Sequence, residues 1–216
     1  MKFMTVYDTL FLYKPGRGDG SMNRNNPLSP DQRFYSIDDL QKLGLSYYRI
    51  NKMVEQHLLS KMNKKMYENA AYSGDESDYA AAMAYAPKGV ICMMSAARFY
   101  GLTNYLPDAV DVAIERNMKV STLPEWPRLH FWYFPQGRYE AGIVTVQDEG
   151  GEFRIYDIEK TVADILYYRN KIGIEETREI LKNYLSKADR NLPALHRYAE
   201  KLGCGKILGT YLEVLL

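Results

Sequence analysis

The stretch LGLSYYRINKMVEQHLL, Leu43 to Leu59, decides how the front of this chain is read. A glycine is followed by a serine, and then by nine to ten residues with helical spacing. Ser46 is a natural N-cap, because its hydroxyl can accept a first-turn amide that has no helical acceptor. At about 100° per residue, and with Ile50 set at zero, Tyr47, Met53 and Val54 fall on its side and predict a core face. Tyr48, Lys52 and Glu55 fall opposite. Arg49 and Gln56 flank one side and Asn51 the other. The outer face thus carries the donors that phosphates and base edges need: Arg for guanine, Asn or Gln for adenine, Tyr and Lys for phosphates. The amides at the helix start near Ser46 would suit a phosphate as well. The same face would also serve simply as a solvated surface.

The neighbouring residues sharpen the choice. Upstream, Ser36 is placed to cap a helix with Ile37, Leu40 and Leu43 inward and Asp38 and Asp39 in its favoured first turn. Gly44 supplies the left-handed position after it. Downstream, LLSKMNKKMYEN (58–69) predicts two short strands around an Asn-Lys turn, with Lys61, Lys64 and Lys65 at or beside its tip. Helix, glycine turn, helix and basic hairpin is the order of a winged helix-turn-helix. Further forward, 3–12 has helical spacing, though its aromatic and β-branched content also suits a strand, and 15–33 is a long Gly/Asn/Pro/Ser loop.

Charge separates the same region. Residues 1–66 hold eleven Lys/Arg against six Asp/Glu, and the remainder seventeen against twenty-one, although the whole chain is only +1. A basic front on an acidic body points to a polyanion partner for the front. No apolar run approaches the roughly 18–20 residues that span a bilayer. The apolar start MKFMTVYDTLFLYKPG carries Asp8 and lacks a small-residue cleavage site, so it is not read as a signal peptide. Two cysteines, Cys92 and Cys204, give neither a disulfide framework nor metal-ligand spacing, which suits a reducing cytoplasm; a single disulfide between them stays open.

Behind a polar linker at 69–80 the pattern changes. YAAAMAYA is helical by composition. GVICMMSAARFYGL passes from a buried segment into a helix that Ser95 would cap. DAVDVAI, RLHFWYF and GIVTVQDEGGEFRIYD predict strands, the last a hairpin turning at DEGG. From Ile158 onward four helices are predicted, at 158–170, 174–187, 192–202 and 205–215. The expected class is α+β: a winged helix-turn-helix over 1–70, then a C-terminal domain over 78–216 with a small sheet and several helices.

This rear region shows no phosphate-loop glycine motif, no dinucleotide fingerprint and no His-Glu-x-x-His. His57, His130 and His196 fall in different elements. Asp108 and Asp111 have no third carboxylate at metal-site spacing. Asp164, on a helix whose Val162, Ile165 and Leu166 form a buried stripe, is expected to bond backbone or pair with a base rather than to catalyse. Neither an enzyme, a cofactor nor a metal is expected.

Three stretches resemble one family, the AbiEi-type antitoxins, transcriptional regulators of abortive-infection (phage defence) toxin–antitoxin operons. In the front the resemblance lies in Leu40, Gly44, Leu45, Ser46, Ile50, Val54, Leu58, Leu59 and Tyr67. It continues in Ser95, Ala96, Gly101 and Leu102, and in Asp157, Thr161, Asp164 and Leu166. It covers about residues 34–170. His57 stands where the family often has glycine, Lys65 where the hairpin often has glycine, and Lys160 where arginine is usual; the long 15–33 loop displaces the first helix of the winged fold. The resemblance implies a cytoplasmic autorepressor that binds inverted repeats in double-stranded promoter DNA. It also implies a type IV antitoxin that counteracts a nucleotidyltransferase-like toxin without stably binding it. The expected DNA contacts are Ser46, Tyr48, Arg49, Asn51 and Lys52 in the helix and Lys61, Lys64 and Lys65 in the hairpin. The alternatives are a regulator without a toxin, whose rear domain senses a ligand or dimerises, and an enzyme that uses the front as a docking module.

Overall fold

A computed structural model describes residues 27–120, 122–148 and 150–215. The helix or strand expected over 3–12 and most of the 15–33 loop lie outside the described residues. The described chain is a mixed α/β structure with ten helices and two small sheets.

The front begins with strand β1 (Phe34–Ser36), which the sequence pattern did not reveal because three residues carry no periodicity. Helices α1 (Ile37–Lys42) and α2 (Tyr47–Glu55) follow, then strands β2 (Leu59–Lys61) and β3 (Met66–Asn69). The sheet order is β1-β3-β2, antiparallel throughout. Leu28, Tyr35, Leu40, Leu45, Ile50, Met53, Leu59 and Tyr67 form a core of their own.

Helix α3 (Asp78–Tyr85) starts inside the expected linker, capped by Ser77 Oγ, which accepts the Ala80 N–H at 3.3 Å. Then come β4 (Val90–Ile91), α4 (Met93–Phe99), β5 (Val110–Glu115), β6 (Leu129–Phe134), α5 (Gln136–Tyr139), β7 (Ile143–Asp148) and β8 (Gly151–Tyr156). The five strands lie in the order β6-β5-β4-β8-β7, with β5/β6 and β4/β8 parallel and the other pairs antiparallel. Strand residues alternate between two cores, as the period of two requires. Ile91, Val112, Ile114, Phe153 and Ile155 pack with Ala82 and Ala86 of the α3 region. Val90, Ala113, Phe134 and Tyr156 face the C-terminal helices. These are α6 (Ile158–Tyr167), α7 (Arg169–Ile172), α8 (Ile174–Leu185), α9 (Leu192–Leu202) and α10 (Gly205–Leu215). The single helix expected over 158–170 is thus broken at Tyr168.

Ser95 does not cap α4. Cys92 holds the cap position, and Ser95 lies inside the helix with its Oγ accepting the Asp111 N–H at 2.9 Å. Asp111 Oδ2 in turn accepts the Met94 N–H at 3.2 Å, so the carboxylate of β5, the strand next to β4, takes the capping role. Both cysteines are free, and burial pushes their thiols above the ordinary range.

Asp164 is fully buried between two cations, as its apolar helix suggested. Arg138 of α5 donates to Oδ1 from Nη2 (2.8 Å) and Nε (3.2 Å), and Lys160 Nζ donates to Oδ2. The guanidinium lies 4.4 Å over the Phe134 ring, and Lys160 Nζ 4.2 Å over Tyr156. Burial holds the Lys160 amine below the ordinary lysine range.

Four helices end in one pattern. A residue at or just after the helix cap is left-handed and its N–H bonds three residues back, while the next N–H bonds five back. Gly44 (φ 79), Gly101 (φ 66) and Gly203 (φ 75) do this for α1, α4 and α9. After α2 the residue is His57 (φ 56): its N–H bonds Val54 O at 3.0 Å, and the Leu58 N–H bonds Met53 O at 2.9 Å. The side chain's steric cost in this region is about 1 kcal/mol. His57→Gly is expected to raise stability by about 1 kcal/mol, read as a higher urea midpoint with unchanged slope. Asp164→Ala, which strands two buried cations, is expected to cost about 3–5 kcal/mol in the same measurement.

Candidate nucleic-acid interface

Two caps and one turn fix α2. Ser36 and Asp39 form a reciprocal capping box on α1: the Asp39 N–H donates to Ser36 Oγ (3.1 Å) and the Ser36 N–H to Asp39 Oδ2 (3.0 Å). The Ser36 hydroxyl also donates to Asp39 Oδ2 at 2.6 Å, and this bond is the main reason the Asp39 carboxyl is held below its ordinary range. Gly44 then reverses the chain, so that the Leu45 N–H reaches Leu40 O at 3.1 Å and Leu45 drops into the core. Ser46 accepts the Arg49 N–H at 3.4 Å. That leaves the first-turn amides of Tyr47 and Tyr48 without helical acceptors, as at any helix start.

Ile50 and Met53 are buried and Val54 packs beside them, which matches the helical wheel. Tyr47 departs from it, and Leu43 departs from the inward position expected at the end of α1. Leu43 is 42% exposed because the left-handed Gly44 carries Leu45, not Leu43, inward. Tyr47 is 58% exposed and Tyr48 76%, so the two tyrosines both face out instead of dividing between core and surface. Tyr47 is the first residue of the helix; its side chain leans back past the helix start, where no preceding turn exists to receive it. Its exposure adds an aromatic group to the outer face.

Ser46, Tyr48, Arg49, Asn51 and Lys52 are all exposed on one short element, as are Lys61, Lys64 and Lys65 on the hairpin. Among the described residues the side chains of Arg49, Asn51, Lys52, Lys61, Lys64 and Lys65 make no hydrogen bond or ion pair. A surface with Arg, Asn, Lys and two Tyr side chains uncommitted can hold phosphates and present bidentate donors to base edges.

The hairpin turn is not a free tip. Asn63 Oδ1 accepts the N–H groups of Lys65 (2.9 Å) and Met66 (3.0 Å), and Asn63 Nδ2 donates to Ala84 O of α3 at 3.0 Å. Lys64 and Lys65 therefore share a cleft with Lys88 and Lys119 of the rear region. Sequence reasoning missed these two lysines because they lie far along the chain, outside any basic run, and come near through tertiary contacts such as the Asn63–Ala84 bond.

Asp164 is consumed by its ion triad and is fully buried. Asp111 is likewise engaged: Oδ1 accepts Trp132 Nε1–H (2.8 Å) and bonds His130 Nδ1 (2.9 Å). Among the described residues no helix is long and apolar enough to cross a membrane.

No protein-family model matches the chain, and no curated protein matches it. The likeness to AbiEi-type antitoxins thus rests on the motifs quoted above.

Because Asp39 is held below its ordinary value of 3.8, the stability it contributes is fully present above that value and is lost as pH falls through the lowered one. Ser36→Ala is expected to cost about 0.5–2 kcal/mol at neutral pH and to remove that part of the acid-induced loss. Paired chemical denaturation of the two proteins at neutral and acid pH reads both effects.

Proposed function

We propose that the chain is a DNA-binding regulator, with residues 1–70 acting as a winged helix-turn-helix and 78–216 as a separate effector domain. The observation that carries this reading is the order β1-α1-α2-β2-β3 with sheet order β1-β3-β2, combined with an α2 whose outer face is polar and unpaired. In such a module the second helix enters the major groove and the hairpin touches the backbone. Tyr48, Arg49, Asn51 and Lys52 then meet the groove, Ser46 marks the amides that meet a phosphate, and Lys61, Lys64 and Lys65 neutralise the backbone. Binding of this kind is strongly salt-dependent.

The AbiEi-type resemblance supports a further step: the operator is an inverted repeat in the chain's own promoter, and the rear domain counteracts a nucleotidyltransferase-like toxin in the cytoplasm without a stable complex. A regulator without a toxin, whose rear domain senses a ligand, is the second reading; the lysine cleft between hairpin and body favours it. Catalysis has less support, since Asp164 and Asp111 are both spent on structural bonds.

In gel shifts with the chain's own upstream DNA, Arg49→Ala is expected to weaken binding by about 1–3 kcal/mol and to relax sequence preference. Replacing Lys61 or Lys64 by Ala should instead lower the salt slope by about 0.9 for each phosphate left unneutralised. Wild-type affinity in Arg49→Ala and Lys52→Ala alike would overturn α2 as the reading helix. Co-expression with the nucleotidyltransferase encoded beside it, if one is, separates the two readings: rescue of growth supports the antitoxin.

A further inference from the structure

The cleft between the hairpin turn and the rear region has a volume of about 370 Å³. That lies within the range of small-molecule sites, about 300–1,000 Å³. Its charged lining consists of lysines alone: Lys64 and Lys65 from the turn, Lys88 and Lys119 from the body. No Asp or Glu lines it, and none of the four ammonium groups has an ion pair among the described residues. Four like charges around one small space repel one another, and a single multivalent anion relieves all of that repulsion at once. The remaining lining is largely apolar, with the partly exposed Tyr85, Met118 and Val120 providing a surface for a ring.

The cleft is held in shape before any ligand arrives. The turn side is fixed by the Asn63 bonds to Ala84, Lys65 and Met66. On the body side the Tyr139 hydroxyl donates to Lys88 O, and Arg154 Nη2 donates to Gly89 O at 2.8 Å. Gly89 itself is required, because a Cβ there would stand 2.5 Å from Val112 Cγ1. Preorganised walls with a concentrated positive charge reduce what binding has to spend on ordering.

We propose that this cleft binds a small organic polyphosphate, a nucleoside triphosphate or a chemical equivalent. Its phosphates lie among Lys64, Lys65, Lys88 and Lys119, and its ring lies against the apolar wall. Resting on the DNA-binding reading above, the site also has a regulatory consequence. Lys64 and Lys65 cannot serve a bound polyphosphate and the DNA backbone together, so the ligand weakens operator binding by direct competition for two cations.

The site is tested on the full chain without DNA, by calorimetric titration with ATP, GTP and inorganic tripolyphosphate at low salt. Saturable nucleotide binding, tighter than that of tripolyphosphate, is expected. Lys88→Ala/Lys119→Ala, which leaves the hairpin untouched, is expected to weaken it about tenfold or more without altering the melting temperature of the unliganded protein. Absence of binding, or equal affinity in the double variant, overturns the site. Tripolyphosphate binding as tightly as the nucleotides overturns the role of the ring. In gel shifts, added nucleotide should release DNA from the wild type and not from the double variant; binding without release overturns the competition. Should the double variant lose DNA affinity with no nucleotide present, the lysines belong to the DNA track and the proposal fails. Because the titration contains no DNA, failure of promoter binding leaves the polyphosphate result standing.

Discussion

A left-handed residue just past a helix end is the constraint on which the front of this protein depends. It lets one residue's N–H and the next one's close the last open carbonyls of the helix, and it turns the chain so that the following side chain points inward. After α1 the inward residue is Leu45, after α4 Leu102 and after α9 Cys204, and all three are buried. In the front this device is used twice in succession, at Gly44 and His57, with nine helical residues between. The two turns fix both ends of α2, and with Ser46 capping its start and Ile50 and Met53 in the core, Arg49 and Lys52 are left on the outer face.

The rear region is organised differently. A mixed sheet separates two cores, and the larger one is pinned by a carboxylate enclosed by two cations and a group of aromatic rings. The triad is a costly way to stabilise anything, since removing three charges from water offsets most of their attraction. It joins α5, which follows the sheet's outermost strand, to α6, the first of the C-terminal helices, with a directional bond that apolar packing alone would not supply. Asp111 does the same on that face of the sheet, joining β5 to α4 and β6 through four hydrogen bonds.

Much of this was legible in the sequence wherever a local rule had a single solution. Ser36, Gly44 and Ser46 mark the helix boundaries; the Asn-Lys turn and the β7–β8 hairpin close as their residues predict; Asp164 on an apolar stripe had to find either backbone donors or a basic partner, and the structure supplies two basic partners. Features set by distant residues were not legible. Asp111 takes the capping role that Ser95 was expected to fill, because the sheet brings it within 3.2 Å of the Met94 N–H. The expected core position of Tyr47 assumed a full helical turn before it, and none exists. The candidate surface on α2 could be drawn from the wheel, whereas the lysine cleft required knowing that Asn63 bonds Ala84.

Strand β6 has a consequence of another kind. It lies at the edge of the sheet, and its six residues, LHFWYF, carry no Asp, Glu, Lys or Arg. An apolar, aromatic edge strand is a template for pairing with other chains whenever it detaches. A parallel backbone ladder and two side-chain bonds to Asp111 hold it to β5, and Arg128 and Pro135 flank it, a charge on one side and a residue without an N–H on the other. These are the residue types that interrupt stacking of identical segments. Arg128 and Pro135 thus oppose self-pairing of β6 although both are exposed and contribute little to the folded core.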